Sequence, residues 1–174
     1  MSEPVSKSPF WQFSIKFYAE PGVADACIAL QDKSQVDVNI LFYLLWNATQ
    51  GRAFNAADVT EIEHRLGPWR EMAVVPIRNV RRALKSPPPA LAPEAAESLR
   101  TRIKAVELEA ERLQQEALYT LSQTSRLGRP SPSKNEAARD SISSYQGVIG
   151  PFPPEALDTV LSAFAKFDAP GRDT

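Results

Sequence analysis

Residues 37–51 read Asp-Val-Asn-Ile-Leu-Phe-Tyr-Leu-Leu-Trp-Asn-Ala-Thr-Gln-Gly, and this stretch decides the fold. Asp37 is a helix N-cap type, and Gly51 stands where a left-handed C-cap closes a helix. Between them Val38, Ile40, Leu41, Phe42, Leu44, Leu45 and Trp46 leave little of the surface for solvent. A helix that is apolar nearly all round must be enclosed by other elements, so it predicts a central helix with neighbours on every side. Its polar remainder, Asn39, Tyr43, Asn47 and Gln50, falls within about 80° on a helical projection, and forms either a polar pocket lining or a narrow solvent face.

The flanks supply the neighbours. Ser8-Pro9 caps and starts a first helix carrying Phe10, Trp11, Phe13, Ile15, Phe17 and Tyr18, which Pro21-Gly22 ends. A second helix over about Val23–Lys33 offers Ala24, Cys27, Ile28 and Leu30 to the core. Asn55 caps a fourth, with Asp58 in its first turn and Gly67 as its stop. Pro68 starts a fifth that runs to about Lys85, kinked or broken at Pro76. Its apolar face holds Trp69, Met72, Ala73, Pro76, Val80 and Leu84. The other face holds Arg70, Arg78, Arg81, Arg82 and Lys85.

After a loop over 86–93, Leu99, Ile103, Val106, Ala110, Leu113 and Ala117 recur alternately four and three apart. This heptad-like seam predicts one long helix from Glu94 to about Leu127, folded back on the fifth as an antiparallel hairpin. That arrangement brings Glu107, Glu109 and Glu111 toward Arg70. Residues 128–135, with Arg-Pro-Ser-Pro-Ser, read as a flexible linker. Beyond it come a weakly patterned helix over 136–145 and an amphipathic one over 154–167, with Leu157, Val160, Leu161, Phe164 and Phe167 at core spacing. The expected architecture is therefore all-α: a compact bundle of five to six helices over 8–127 with a long antiparallel hairpin, and an extension over 136–174 carrying a tethered terminal helix.

Composition fits one such domain. The 174 residues are 43% hydrophobic and 24% charged, with a formal net charge of -1 that recruits neither nucleic acid nor an anionic membrane. Charge is uneven: by count along the sequence, 65–104 holds nine Lys/Arg against three Asp/Glu, between acidic flanks. The longest nearly apolar run, Val38–Trp46, is far shorter than the ~20 residues a membrane span needs. The N-terminus lacks the basic and apolar regions of a secretory signal, and a single cysteine forms no internal disulfide, so a reducing cytoplasm is the simplest setting.

Reactive sets are few. Cys27 and His64 form the one thiol–imidazole couple the sequence allows, and neither supports a structural zinc set. No glycine-rich phosphate loop and no HExxH occurs. Glu61/Glu63 and Glu107/Glu109/Glu111 are spaced by two, which on a helix points neighbours to different sides. No catalytic residue, metal ligand or cofactor is nominated. Function is expected instead on surfaces: the basic face of Arg70, Arg78, Arg81, Arg82 and Lys85; the line of Asn39, Tyr43, Asn47 and Gln50; and the terminal helix. The first expectation is a non-enzymatic interaction or assembly module with a protein partner or self-association. The alternatives are a small-molecule or lipid-binding protein, and a weak anion or nucleic-acid binder.

Four stretches in order carry a family resemblance: Phe10-Trp11-Gln12-Phe13 through Pro21-Gly22, then Ala26 to Asp32, then Val36 to Trp46, then Pro68-Trp69-Arg70-Glu71 through Lys85. With Lys104 to Glu111, they resemble an uncharacterised bacterial family, domain of unknown function 2390, over roughly residues 8–120. The resemblance implies a small bacterial protein and supplies no activity and no site residues.

Overall fold

The computed structural model describes residues 8–167. Each helix starts where its local chemistry says it should. Ser8 Oγ accepts from Trp11 N–H at 3.1 Å, and with Pro9 behind it α1 runs Pro9–Tyr18. α2 is Val23–Ser34 and ends on Gln35, held in the left-handed region at φ 55°. The Asp37 carboxylate caps α3, Val38–Thr49, by accepting from the Asn39 and Ile40 amides. Every residue from Asn39 to Ala48 is buried, so α3 is the central helix its composition predicts. A capping box, Asn55 with Asp58, starts α4 at Ala56–Trp69.

The expected stop at Gly67-Pro68 does not occur. α4 continues through a π-turn, Arg70–Val74, into α5, Val75–Ala83. Val75 N–H reaches back to the Arg70 carbonyl, and this wider turn is how a helix accommodates the Pro76 ring, which would otherwise press on the carbonyl four residues back. A Cβ at Gly67 would sit 3.4 Å from the Arg70 guanidinium and 3.8 Å from the Glu63 carboxylate, ordinary van der Waals distances, so the helix passes through this position without a steric need for glycine.

α6 is one 32-residue helix, Pro93–Thr124, folded back on α5 as the short loop between them predicts. α7, Lys134–Ile149, and α8, Pro154–Lys166, follow. With α4, the π-turn and α5 counted as one rod, seven helical rods make an all-α bundle among the described residues. A single two-residue ladder accompanies them, β1 Arg52–Ala53 against β2 Arg129–Pro130.

The boundary expected at 128–135 is absent. Part of that segment is β2, and α7 packs against α3 and α4 while α8 packs against α2. Ala137, Ala138, Ile142, Tyr145, Val160, Phe164 and Phe167 belong to the same core as α3, with Leu157 and Leu161 half-buried against it. The Phe167 ring lies 5.5 Å from Phe13 and 5.3 Å from Phe17, and Phe164 lies 6.0 Å from Phe17. Lys134 Nζ donates to the Phe167 carbonyl at 2.7 Å, tying the start of α7 to the end of α8. The terminal helix therefore spends its apolar face on the aromatic stripe of α1. Residues 168–174 of the expected extension lie outside the described residues.

Gly128 makes the return possible. Its φ is +83°, and a Cβ would meet Ala53 O at 3.2 Å and the Phe54 ring at 3.3 Å. Gly128→Ala is expected to destabilise by about 1–2 kcal/mol through backbone strain and crowding, as a lowered denaturant midpoint with an unchanged slope reports.

Candidate functional site

Three elements meet where α3 begins, and a closed ring of four side chains joins them. The Tyr145 hydroxyl on α7 accepts from the Asp37 amide at 3.1 Å and donates to Glu63 on α4 at 3.1 Å. Glu63 pairs with Arg70 at 2.9 Å, and Arg70 returns to the Asp37 carboxylate at 3.1 Å. Burial raises the Tyr145 pKa well above its ordinary value, and the Asp37 and Glu63 charges push it further, so the phenol stays a donor. Burial works against the Arg70 charge, but Glu63 and Asp37 outweigh it and raise its pKa.

The polar line of α3 extends this ring inward. Asn39 Nδ2 donates to Gln114 Oε1 at 3.0 Å, Gln115 Nε2 donates to Asn39 Oδ1 at 2.8 Å, and Gln114 Nε2 donates to Asp37 at 2.6 Å. Asn47 donates to the Tyr43 carbonyl at 2.8 Å. Asn39, Tyr43 and Asn47 are buried, and only Gln50 is exposed, bonded to Thr49. The four residues thus do not act as one line: Asn39, Tyr43 and Asn47 are interior, and Gln50 alone faces solvent. Asn39 is the one of them that bonds across to α6 among the hydrogen bonds of this line.

The basic face is likewise engaged. Arg78 binds Glu107 at 2.9 Å and Glu111 at 2.8 Å, Arg81 also binds Glu107, and Arg82 binds Asp32 at 2.6 Å. The acidic stretch meets Arg78 and Arg81, not Arg70. Lys85 is exposed. Burial opposes ionisation of Glu107, but hydrogen bonds from Arg81 and Arg78 win and lower its pKa. Glu111 goes the other way: its burial dominates, and Arg78 only partly offsets it. The Arg78 and Arg81 contacts are a joint between α5 and α6 with its charges already matched, and Arg82 ties α5 to Asp32 on α2.

A cavity of about 290 Å³ opens beside ring and joint, lined by Gln31, Gln35, Asn39, Glu63, Arg70 and Glu111 among others. Of the expected polar line only Asn39 reaches it. The Cys27 thiol is buried and its pKa is pushed up to about 12 by that burial, so it holds no thiolate near neutrality, while His64 sits on an exposed face of α4.

Beyond the joint the hairpin runs free. Between Val75 and Val106, Ala96 is the one buried residue. The buried face of α6 is Glu107, Ala110, Gln114, Leu118 and Leu121, so the core grips its C-terminal half. The 14 residues of α6 ahead of Glu107 make an arm of about 21 Å at ~1.5 Å per residue. The heptad residues lie mostly beside the buried arc: Leu99 is 40% exposed, Val106 50% and Leu113 45%. Met72, Val80 and Leu91 on the other limb and the loop are exposed as well.

Sequence patterning foresaw the hairpin, but set its acidic stretch against Arg70 instead of Arg78 and Arg81 and did not single out Asp37, Glu63, Gln114 or Tyr145. The one local signal among these was the capping position of Asp37. Among the described residues, no helix is long and apolar enough to cross a membrane. A family model described as "Protein of unknown function (DUF2390)" matches residues 9–118. No curated protein and no solved structure matches the chain.

Proposed function

The chain belongs to the family of unknown function DUF2390, and we propose that it is a non-enzymatic interaction or assembly module that works through the α5–α6 arm. The observation that supports this most is the exposed stripe Leu99, Val106 and Leu113 on a helix whose own chain covers only the adjacent arc. Large apolar side chains left half-exposed at heptad spacing on one helix are the pattern that a partner helix buries. The ion-pair joint fits this role because it holds the arm straight without spending the stripe on internal packing. The terminal helix is no longer a free docking element, since Val160, Phe164 and Phe167 are in the core. The anion-binding reading loses its face too, because Arg70, Arg78, Arg81 and Arg82 are all paired with carboxylates.

The test separates surface from fold. Leu99→Asp and Val106→Asp are expected to leave stability within about 0.5 kcal/mol, as surface substitutions do, yet to abolish co-purification of whatever complex the wild-type chain forms after crosslinking. Complexes that survive both substitutions would remove the arm from consideration. A second reading, a small polar ligand in the 290 Å³ cavity, is favoured by that cavity alone. It predicts that Glu111→Gln changes the thermal shift produced by a ligand library while arm substitutions do not.

A further inference from the structure

We infer that the occupant of the stripe is the same stripe of a second copy of this chain, packed antiparallel about a two-fold axis through Val106. The inference rests on reading the arm as an interaction element. It starts from symmetry in the sequence. Leu99 lies seven residues before Val106 and Leu113 seven after, so the three drift by only about 20° per heptad and make a nearly straight line about 21 Å long. An antiparallel copy with Val106 opposite Val106 sets Leu99 against Leu113 at both ends. Each large exposed side chain on the line then meets another.

The flanks agree. Arg102 and Glu109 lie on one side of the line, about 40° and 60° away from Val106 at ~100° per residue. A two-fold of this kind brings like flank to like flank. Arg102, about 6 Å before the axis, therefore meets Glu109 of the second copy, which lies about 4.5 Å along on the same side. Symmetry makes the pair twice. Arg102 is exposed with no ion-pair partner among the described residues, and Glu109 is exposed and held by Arg112 at 2.9 and 2.7 Å in a geometry that orders its carboxylate. The opposite flank is apolar: Ile103 and exposed Ala117 border the line there, and Ala110 between them is covered by the chain's own core. Parallel packing instead sets the Arg102 and Glu109 flank of each copy against the Ile103, Ala110 and Ala117 flank of the other, which gives neither charge an opposite partner. Nor does the chain use the line itself, because α5 contacts α6 at Glu107 and Glu111, 100–140° around the helix by the same ~100° step.

The experiment uses the full chain. Light scattering should give twice 19.2 kDa, and Arg102→Glu should weaken self-association about tenfold or more, with Glu109→Arg added to it restoring most of the loss. Register is read by oxidation. Val106→Cys should crosslink to itself, and Leu99→Cys should crosslink to Leu113→Cys in a mixture but neither to itself; the native Cys27 is buried and stays silent. Self-crosslinking of both Leu99→Cys and Leu113→Cys, or a wild-type chain still at single mass at about 100 μM, above the micromolar range of weak specific interfaces, overturns the inference. If that single-mass chain loses a complex on Val106→Asp, the dimer fails while the arm keeps its role. If no complex responds to arm substitutions, both fail.

Discussion

Replacing Arg70 by Met lowers the stability of the fold by about 3 kcal/mol or more, a loss of the size seen when one partner of a buried ion pair is removed. The Asp37 carboxylate is only 4% exposed and Glu63 16%, and both would face each other across Tyr145 with no cation between them. Water reaches the Arg70 side chain, 21% exposed, which sets the effect at the lower end of that range. The loss is electrostatic rather than volumetric, so adding Glu63→Gln to Arg70→Met should recover part of it. Chemical denaturation of the two variants measures this. A loss under 1 kcal/mol, or no recovery in the double variant, would mean that the ring is incidental to the bundle.

Alkaline titration is the second large effect. The Cys27 thiol moves from 9.0 to about 12 and the Tyr43 phenol from 10.0 to about 12, both through burial, and burial also raises Tyr145 well above its ordinary value. All three are acids that the native state keeps protonated. The unfolded chain releases those protons at the ordinary values, so stability is intact below pH 9 and falls as pH rises from there. Each group contributes about 1.4 kcal/mol per pH unit. The slope should be about 1.4 between pH 9 and 10 and approach about 4 above 10. Cys27→Ala should remove the limb between pH 9 and 10 and lower the later slope to about 3. A stability curve flat to pH 11 would contradict the burial of these groups.

What the sequence discloses divides along a physical line. α3 is legible because ten consecutive buried residues need no partner to be recognised, and the caps Ser8, Asp37 and Asn55 act within three residues. The hairpin is legible because α5 and α6 each carry their own periodicity. Gly67-Pro68 misleads because its stop signal is local, whereas the helix continues through the π-turn Arg70–Val74 into α5. The α6 seam misleads in a similar way. An apolar line at heptad spacing shows that something covers it, whereas the core took the neighbouring arc, where Glu107 finds Arg78 and Arg81 and Gln114 finds Asp37 and Asn39. Those matches join residues 26 to 77 apart, and no single window contains both halves. The same holds for α8, recognised as amphipathic at Val160, Phe164 and Phe167 but without sight of Phe13 and Phe17 on α1.

That reassignment moves the functional surface. With the basic face neutralised, the polar line buried and the terminal helix absorbed, the exposed heptad residues of α6 are the expected surface that the fold leaves uncovered. A photo-activatable crosslinking residue placed at Leu99, at Val106 and, as a control, at exposed Ser162 on α8, in cells producing the full chain, addresses this most directly. The account predicts discrete adducts from the two arm positions and none from the control. Arm positions that give no more adduct than Ser162 would contradict it.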